Sequence, residues 1–361
     1  MKRKVLAAAL SAVMVLAMAG CSSSTEATTE ATTEAATEAT TEAATEEATE
    51  AVASSDLTIG ISIDQLFDSR VATVMGIEDA GEAAGVTMVE LVADGDAQSQ
   101  NDQINTLINQ GVDGLLICPV DLNTIETALI AAKVAEIPVV LYDRDSPDSE
   151  NVITAVSCGA YEDGYQGGEY IANTLAEMDL DSYVIADLKG PDSDDVGVQR
   201  SAGFNDSITD ILGDKATVIT VETGAWDTAT ATANFQSTLQ ANPEICAVFC
   251  GTDSFIPGVE TVLTDAGRMN VVGEEGHVVI TGINGSLEGY EAVVNGIADG
   301  TVVMDCPNTG IQAMEALLAY LADGTTPERT IIVPSVFYTG DDIEANADSI
   351  WGVMDLSLSY Q

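Results

Sequence analysis

The sequence predicts an α/β protein built as two successive lobes of parallel sheet, and three observations carry that reading. From Asp56 onward, short apolar runs alternate with longer amphipathic stretches. This is the pattern of repeated βα units whose sheets are covered on both faces. The ten runs fall into two successive groups, which fits two similar lobes better than one very wide sheet. The globular part of the 361-residue chain is also long enough, at roughly 300 residues, for two cores of ~150 residues each.

Strands are expected at 57–63 (LTIGISI), 86–92, 113–118 (DGLLIC), 138–142, 152–158, 182–187, 216–221, 246–250, 278–283 and 301–305. Helices fill most of the gaps, among them 97–110, 121–136, 160–178, 227–241 and 307–322.

The N-terminal region follows different rules. Residues 1–20 have a basic start, Lys2 to Lys4, then an apolar stretch from Val5 to Ala19 and small residues, as in an export signal. The stretch is too short for a comfortable membrane span. Leu16-Ala-Met-Ala-Gly-Cys21 resembles a bacterial lipobox, which implies lipidation of Cys21 and attachment to a membrane through that lipid alone. From 21 to 55 the chain is a Thr, Glu and Ala linker, with glutamates at every fourth position from Glu26 to Glu50. In a helix that spacing would stack like charges, so a disordered spacer is expected, spanning roughly 30 Å as a flexible coil.

Charge excludes several partners. Without Lys2, Arg3 and Lys4, 8 of the 11 basic residues remain against 59 acidic ones, a formal charge of −51. Nucleic acid and anionic membrane surfaces are bound through clustered Lys and Arg, so neither is an expected partner. The surplus acid reads as a solvated exterior.

Against that background three arginines stand out. Arg70, Arg144 and Arg200 fall at predicted strand-to-helix connections or helix edges, each near an aspartate: Asp64, Asp143, and the pair Asp194 and Asp195. Guanidinium forks beside carboxylates suit a ligand with many hydroxyls, which both donates and accepts hydrogen bonds. In open α/β sheets ligands bind beyond the carboxyl ends of strands. Asp64 and Gln65, Asp143 and Arg144, Asp253, Asn284 and Asp305 all follow predicted strands. Each Asp or Asn could equally be a helix cap. Phe67 and Trp226 fall in the same class of loop, where a ring face can stack on a pyranose, although Phe67 also suits plain packing.

Five segments together resemble the type I periplasmic sugar-binding proteins of ABC importers, the ribose- and xylose-binding group. They are SIDQLFDSR (62–70), QINTLINQGVDGLLICPVD (103–121), IPVVLYDRD (137–145), YEDGYQGGEYIANTL (161–175) and QRSAGF (199–204). The resemblance covers residues 57–338, and the I-D-x-L-x-x-x-R pattern is nearest to xylose-binding proteins. It implies two Rossmann-like lobes joined by a three-strand hinge and closing on a monosaccharide. It also implies sugar contacts from Asp64, Gln65, Arg70, Asp143, Arg144, Arg200, Trp226, Asp253, Asn284 and Asp305, to which the loop position of Phe67 adds an eleventh candidate. On this reading 56–158 with 306–335 form the first lobe, and 159–305 with 336–361 the second. The partners implied are a small-molecule sugar and an ABC permease, with the protein a monomer. A sensory role, presenting sugar to a chemoreceptor or histidine kinase, would use the same pocket. Cys306, where xylose-binding proteins place a lysine, and a longer Gly- and Glu-rich loop at 269–277 depart from the pattern, so the sugar itself is not implied.

An enzymatic reading finds little support. The single histidine, His277, in a polar loop, is expected on the surface, and no catalytic or nucleotide-binding motif occurs. Paired carboxylates are compatible with hydrolysis of a glycoside but do not require it. No cofactor or metal is implied. Cys118, Cys158, Cys246, Cys250 and Cys306 leave an odd count, and Cys246 and Cys250 lie about 13 Å apart on an extended strand, too far for a bridge.

Overall fold

The computed structural model describes residues 56–178 and 180–354. The export signal, the lipidation site Cys21, the spacer to residue 55 and the tail from residue 355 lie outside the described residues.

The first sheet is built from β1 (Thr58–Ile63), β2 (Thr87–Val92), β3 (Gly114–Ile117), β4 (Val139–Tyr142) and β5 (Thr154–Cys158), with β11 (Thr330–Val333) added late in the chain. Its order is β11-β5-β4-β3-β1-β2, every pair parallel. Ile59, Ile61 and Ile63 of β1 are fully buried. A parallel strand covered on both faces has no solvent side, so even Gly60 and Ser62, which alternate with the isoleucines in LTIGISI, are buried. The connecting helices are α1 (Asp68–Ala84), α2 (Ala97–Gln110) and α3 (Glu126–Val134). The helix expected over 121–136 begins late because Asp121 makes its own turn, its Oδ1 accepting from the amides of Asn123 at 3.0 Å and Thr124 at 2.9 Å.

The second sheet contains β6 (Tyr183–Lys189), β7 (Ala216–Glu222), β8 (Ile245–Cys250), β9 (Val279–Asn284), β10 (Gly300–Val303) and β12 (Val336–Thr339), in the order β12-β10-β9-β8-β6-β7. Its helices are α4 (Ala160–Glu177), α5 (Asp195–Leu212), α6 (Thr228–Ala241), α7 (Ile256–Asp265) and α8 (Leu287–Val294). Asp194 caps α5 and Asp227 caps α6 through side-chain oxygens. β12 runs antiparallel to β10, the one exception to parallel pairing among the described residues. β11 and β12 are absent from the ten strands expected from sequence. Each has four residues, only partly buried, so neither offers a long apolar run.

The chain passes between the sheets three times: from β5 into α4, from β10 into α9 (Cys306–Asp323), and from β11 to β12. One apolar core runs along a face of each sheet and through these crossings, from Ile61 and Met314 to Phe204 and Phe249. The last two rings stack with centroids 4.4 Å apart. Glycines bring helices together at the same level. A Cβ at Gly76 of α1 would lie 1.9 Å from the carbonyl oxygen of Pro307, and one at Gly310 of α9 would lie 2.0 Å from that of Thr73. In the other lobe a Cβ at Gly164 of α4 would lie 1.9 Å from the carbonyl oxygen of Arg200, and one at Gly203 of α5 would lie 2.0 Å from that of Tyr161.

After β12 the chain forms α10 (Gly340–Ile343), a turn at Glu344–Ser349 and another at Trp351–Val353. The first and last of these pack against α8, and the last turn also reaches α1 of the first lobe.

Candidate functional site

The carboxyl ends of both sheets face a cleft of about 310 Å³, walled from one side by Gln65, Phe67, Asp143 and Arg144 and from the other by Arg200, Trp226, Asn284 and Trp351.

On the first-lobe side the charges are already paired. Arg70 is 1% exposed and donates from Nε to Asp64 Oδ1 and from Nη2 to Asp143 Oδ2, both at 2.7 Å. Its guanidinium also lies 5.4 Å from the Phe67 ring centre and 5.5 Å from that of Tyr142. Arg144 Nη1 donates to Asp64 Oδ2 at 2.7 Å and to the Pro119 carbonyl at 2.9 Å. Burial works to raise both carboxyls, but Arg70 and Arg144 outweigh it: Asp64 lies below the usual carboxylate range and Asp143 is held at about 2. Asp143 also has φ 65, a conformation costly for any residue but glycine and tolerated best by Asn and Asp.

The second-lobe side is organised differently. Arg200 donates to the Gly251 carbonyl at 2.8 Å and to Met304 Sδ at 2.9 Å, and makes no salt bridge within 4.0 Å among the described residues. Its Nε is buried without a partner, and the guanidinium lies 5.9 Å from the Trp226 ring centre. The Trp226 indole N–H donates to Asp194 Oδ2 at 3.0 Å, and the same oxygen accepts from Arg144 Nη2 at 3.3 Å. That ion pair joins the lobes across the cleft. Asn284 donates to Thr252 Oγ1 at 3.1 Å.

Asp253 lies behind this wall. It is fully buried and accepts from Thr301 Oγ1 at 2.7 Å and from the amides of Gly285 and Ser286 at 2.8 and 3.0 Å. Burial pushes its carboxyl up to about 6 against the pull of those donors. Its geometry fixes the turn that presents Asn284.

Of the sequence-predicted residues, the cleft therefore gathers Gln65, Phe67, Asp143, Arg144, Arg200, Trp226 and Asn284. Asp64, Arg70 and Asp253 sit behind the wall with their polar atoms engaged by protein groups, so they support contacts but do not line the cavity. Asp305 is exposed at the second crossing and caps α9 through the amide of Asn308. His277 is not a surface residue. Its side chain is 9% exposed, pinned by Asp299 at 2.9 Å and the Asn270 carbonyl at 2.7 Å. Asp194, singled out beside Arg200 but not among the expected contacts, also lines the cleft, and the sequence reading missed Thr252, Met304, Glu288 and Trp351 as wall residues. Only Trp351 carried a signal: the chain has two tryptophans, and both line this cleft.

Two α/β lobes with a polar, aromatic-edged cleft between the carboxyl ends of their strands define the class of two-lobed binding proteins. The chain belongs to the periplasmic binding protein domain family, whose pattern it matches over residues 60–326. It is 30% identical to the ribose import binding protein RbsB of Bacillus subtilis (strain 168), over 62% of this chain and 70% of that one. With the galactofuranose-binding protein YtfQ of Escherichia coli (strain K12) it shares 28% identity over 80% of this chain and 89% of the relative. The fold superimposes on the crystal structure of a galactofuranose binding protein with a TM-score of 0.72 and 24% identity, covering 81% of this chain and 98% of the other.

Proposed function

We propose that the protein is a solute-binding protein that captures a neutral monosaccharide between its lobes and delivers it to an ABC permease. The observation that carries this is Arg200: a buried guanidinium on the cavity wall with, among the described residues, no carboxylate partner and an unoccupied Nε–H. Unpaired buried donors are costly unless a ligand meets them. Sugar hydroxyls would do so, while Trp226 and Phe67 would offer ring faces to the apolar side of the sugar. The names of the relatives, ribose and galactofuranose binders, support the same class of ligand. Charge argues against a sugar acid, since Asp68, Asp143, Asp194 and Glu288 line the cavity against Arg144 and Arg200 alone.

Binding from both sides would favour the closed arrangement by its higher affinity for that form, and the three crossings would absorb the rotation. Titration calorimetry of D-ribose, D-galactose, D-apiose and D-galacturonate tests the assignment. A neutral sugar is expected to bind most tightly, and binding of galacturonate alone would overturn it. We further propose that the protein works as a monomer outside the cytoplasm, tethered by lipid on Cys21. Membrane fractionation of Cys21→Ala should find the protein soluble, and retention in the membrane fraction would remove the tether.

A further inference from the structure

We propose that Trp351 sets the size limit of the ligand cavity and positions Asn284 within it, so that the C-terminal segment as well as the strand-end loops selects the sugar. The proposal rests on the sugar-binding reading of the cleft. Trp351 arrives at the wall from the far end of the chain, after the third crossing, and is 2% exposed although it lines the cavity. Its ring therefore closes one side of the space rather than standing at its mouth.

Several contacts fix it there. The indole Nε1 donates to the carbonyl oxygen of Asn284 at 2.8 Å. The next residue, Gly352, lies so close to the 285–287 backbone that a Cβ would sit 2.3 Å from the Gly285 carbonyl oxygen. The turn that holds Trp351 packs on α8 and on α1, one helix from each lobe.

Asn284 depends on this arrangement. Its φ of 128 is one that residues with side chains rarely adopt, and such a conformation persists only where the surroundings over-determine it. Trp351 Nε1 and the amide of Met304, at 3.2 Å, both hold its carbonyl oxygen. With the main chain fixed, the side-chain amide is left on the cavity wall beside Thr252. Both indole N–H groups are occupied, that of Trp226 by Asp194 and that of Trp351 by Asn284. The two rings thus give the cavity surface and volume instead of donors, and wall volume decides how large a ligand fits.

The test uses the full chain with three probes, D-ribose, D-galactose and lactose, titrated into wild type, Trp351→Phe and Trp351→Ala. Trp351→Phe keeps a ring and removes the donor. It should weaken the tightest monosaccharide about tenfold and leave the order of the three unchanged. Trp351→Ala opens the wall and should raise the affinity ratio of lactose to the monosaccharides about tenfold or more. A uniform loss in both variants, with the ratio unchanged, is what a merely structural tryptophan gives, and it overturns the proposal. If Trp351→Ala does not fold, Trp351→Leu carries the same ratio test. If wild type binds none of the probes, nor D-apiose, the sugar reading fails separately. Amide exchange at Gly285 and Ser286 in ligand-free Trp351→Phe then decides the positioning role: faster exchange supports it, and unchanged exchange overturns it.

Discussion

Buried carboxyl groups are treated in opposite ways by the two lobes. In the first lobe Asp64 and Asp143 meet Arg70 and Arg144 and are held below the ordinary range. In the second lobe Asp163, Asp187 and Asp253 are buried beside hydroxyls and amides, and burial pushes all three up to about 6. At Asp163, in the first turn of α4 just past the first crossing, the Arg200 charge and the Ser335 hydroxyl only partly offset the burial. The cations follow the same division, with Arg70 paired to two aspartates and Arg200 without a carboxylate among the described residues. The first lobe thus presents a network of ion pairs to the cleft, open at the Arg144 Nε–H, and the second presents a guanidinium outside any ion pair among the described residues. Rigidity and recognition are placed on different walls of one cavity.

The contrast is broken most severely at Arg70. Arg70→Met would leave Asp143 without its guanidinium partner and Asp64 with Arg144 alone, and should lower stability by about 3–5 kcal/mol, read as a shift in the urea midpoint. Arg200→Met should do the reverse. Its unfolding midpoint should stay near wild type while sugar affinity falls about a hundredfold, about 2.7 kcal/mol by calorimetry. Equal destabilisation by both changes would erase the distinction between the lobes.

The smallest effect sharpens the comparison through pH. A folded carboxyl raised to about 6 holds its proton between about pH 4 and 6 while the unfolded chain has released it. Asp163 therefore costs stability progressively as pH rises through that window, and the cost persists above it. Asp163→Asn should stabilise the protein by about 2 kcal/mol at pH 8, a gain that vanishes below about pH 4. A pH-independent gain in thermal melting would assign the effect to packing. Asp143 works in the other direction: its contribution is present above about pH 4 and is lost as pH falls toward 2.

Much of this was legible in the sequence, for identifiable reasons. All ten expected strands form; central ones, buried on both faces, show as apolar runs such as LLIC or AVFC, while β2 and β7 at the sheet edges stay partly exposed. β11 and β12 carry no such run, and their pairing with β5 and β10 depends on partners far away in sequence. At the site, position was easier to read than direction. The strand-end rule located Asp64, Asp143, Arg144, Asp253 and Asn284, but spacing cannot tell a carboxylate that meets a ligand from one that meets Arg70 or a backbone amide. Trp351 was missed because no strand end places it; three backbone crossings and a C-terminal turn do.

The glycine contacts between α1 and α9, and between α4 and α5, bear on how such a molecule moves. With main chain pressed on main chain, neither helix pair has side chains that could repack to let one helix roll over its neighbour. Both α4 and α9 emerge directly from a crossing, so the stiff part of each lobe starts where the connection ends. In the closing motion proposed above, the rotation would fall on a few torsions near Gly159, Met304 to Asp305, and Pro334 to Ser335. The conformational entropy lost on trapping a ligand then falls on a handful of dihedrals, not on the whole chain, and the opening rate becomes a property of those residues. It can be retuned there without touching the chemistry of the cavity.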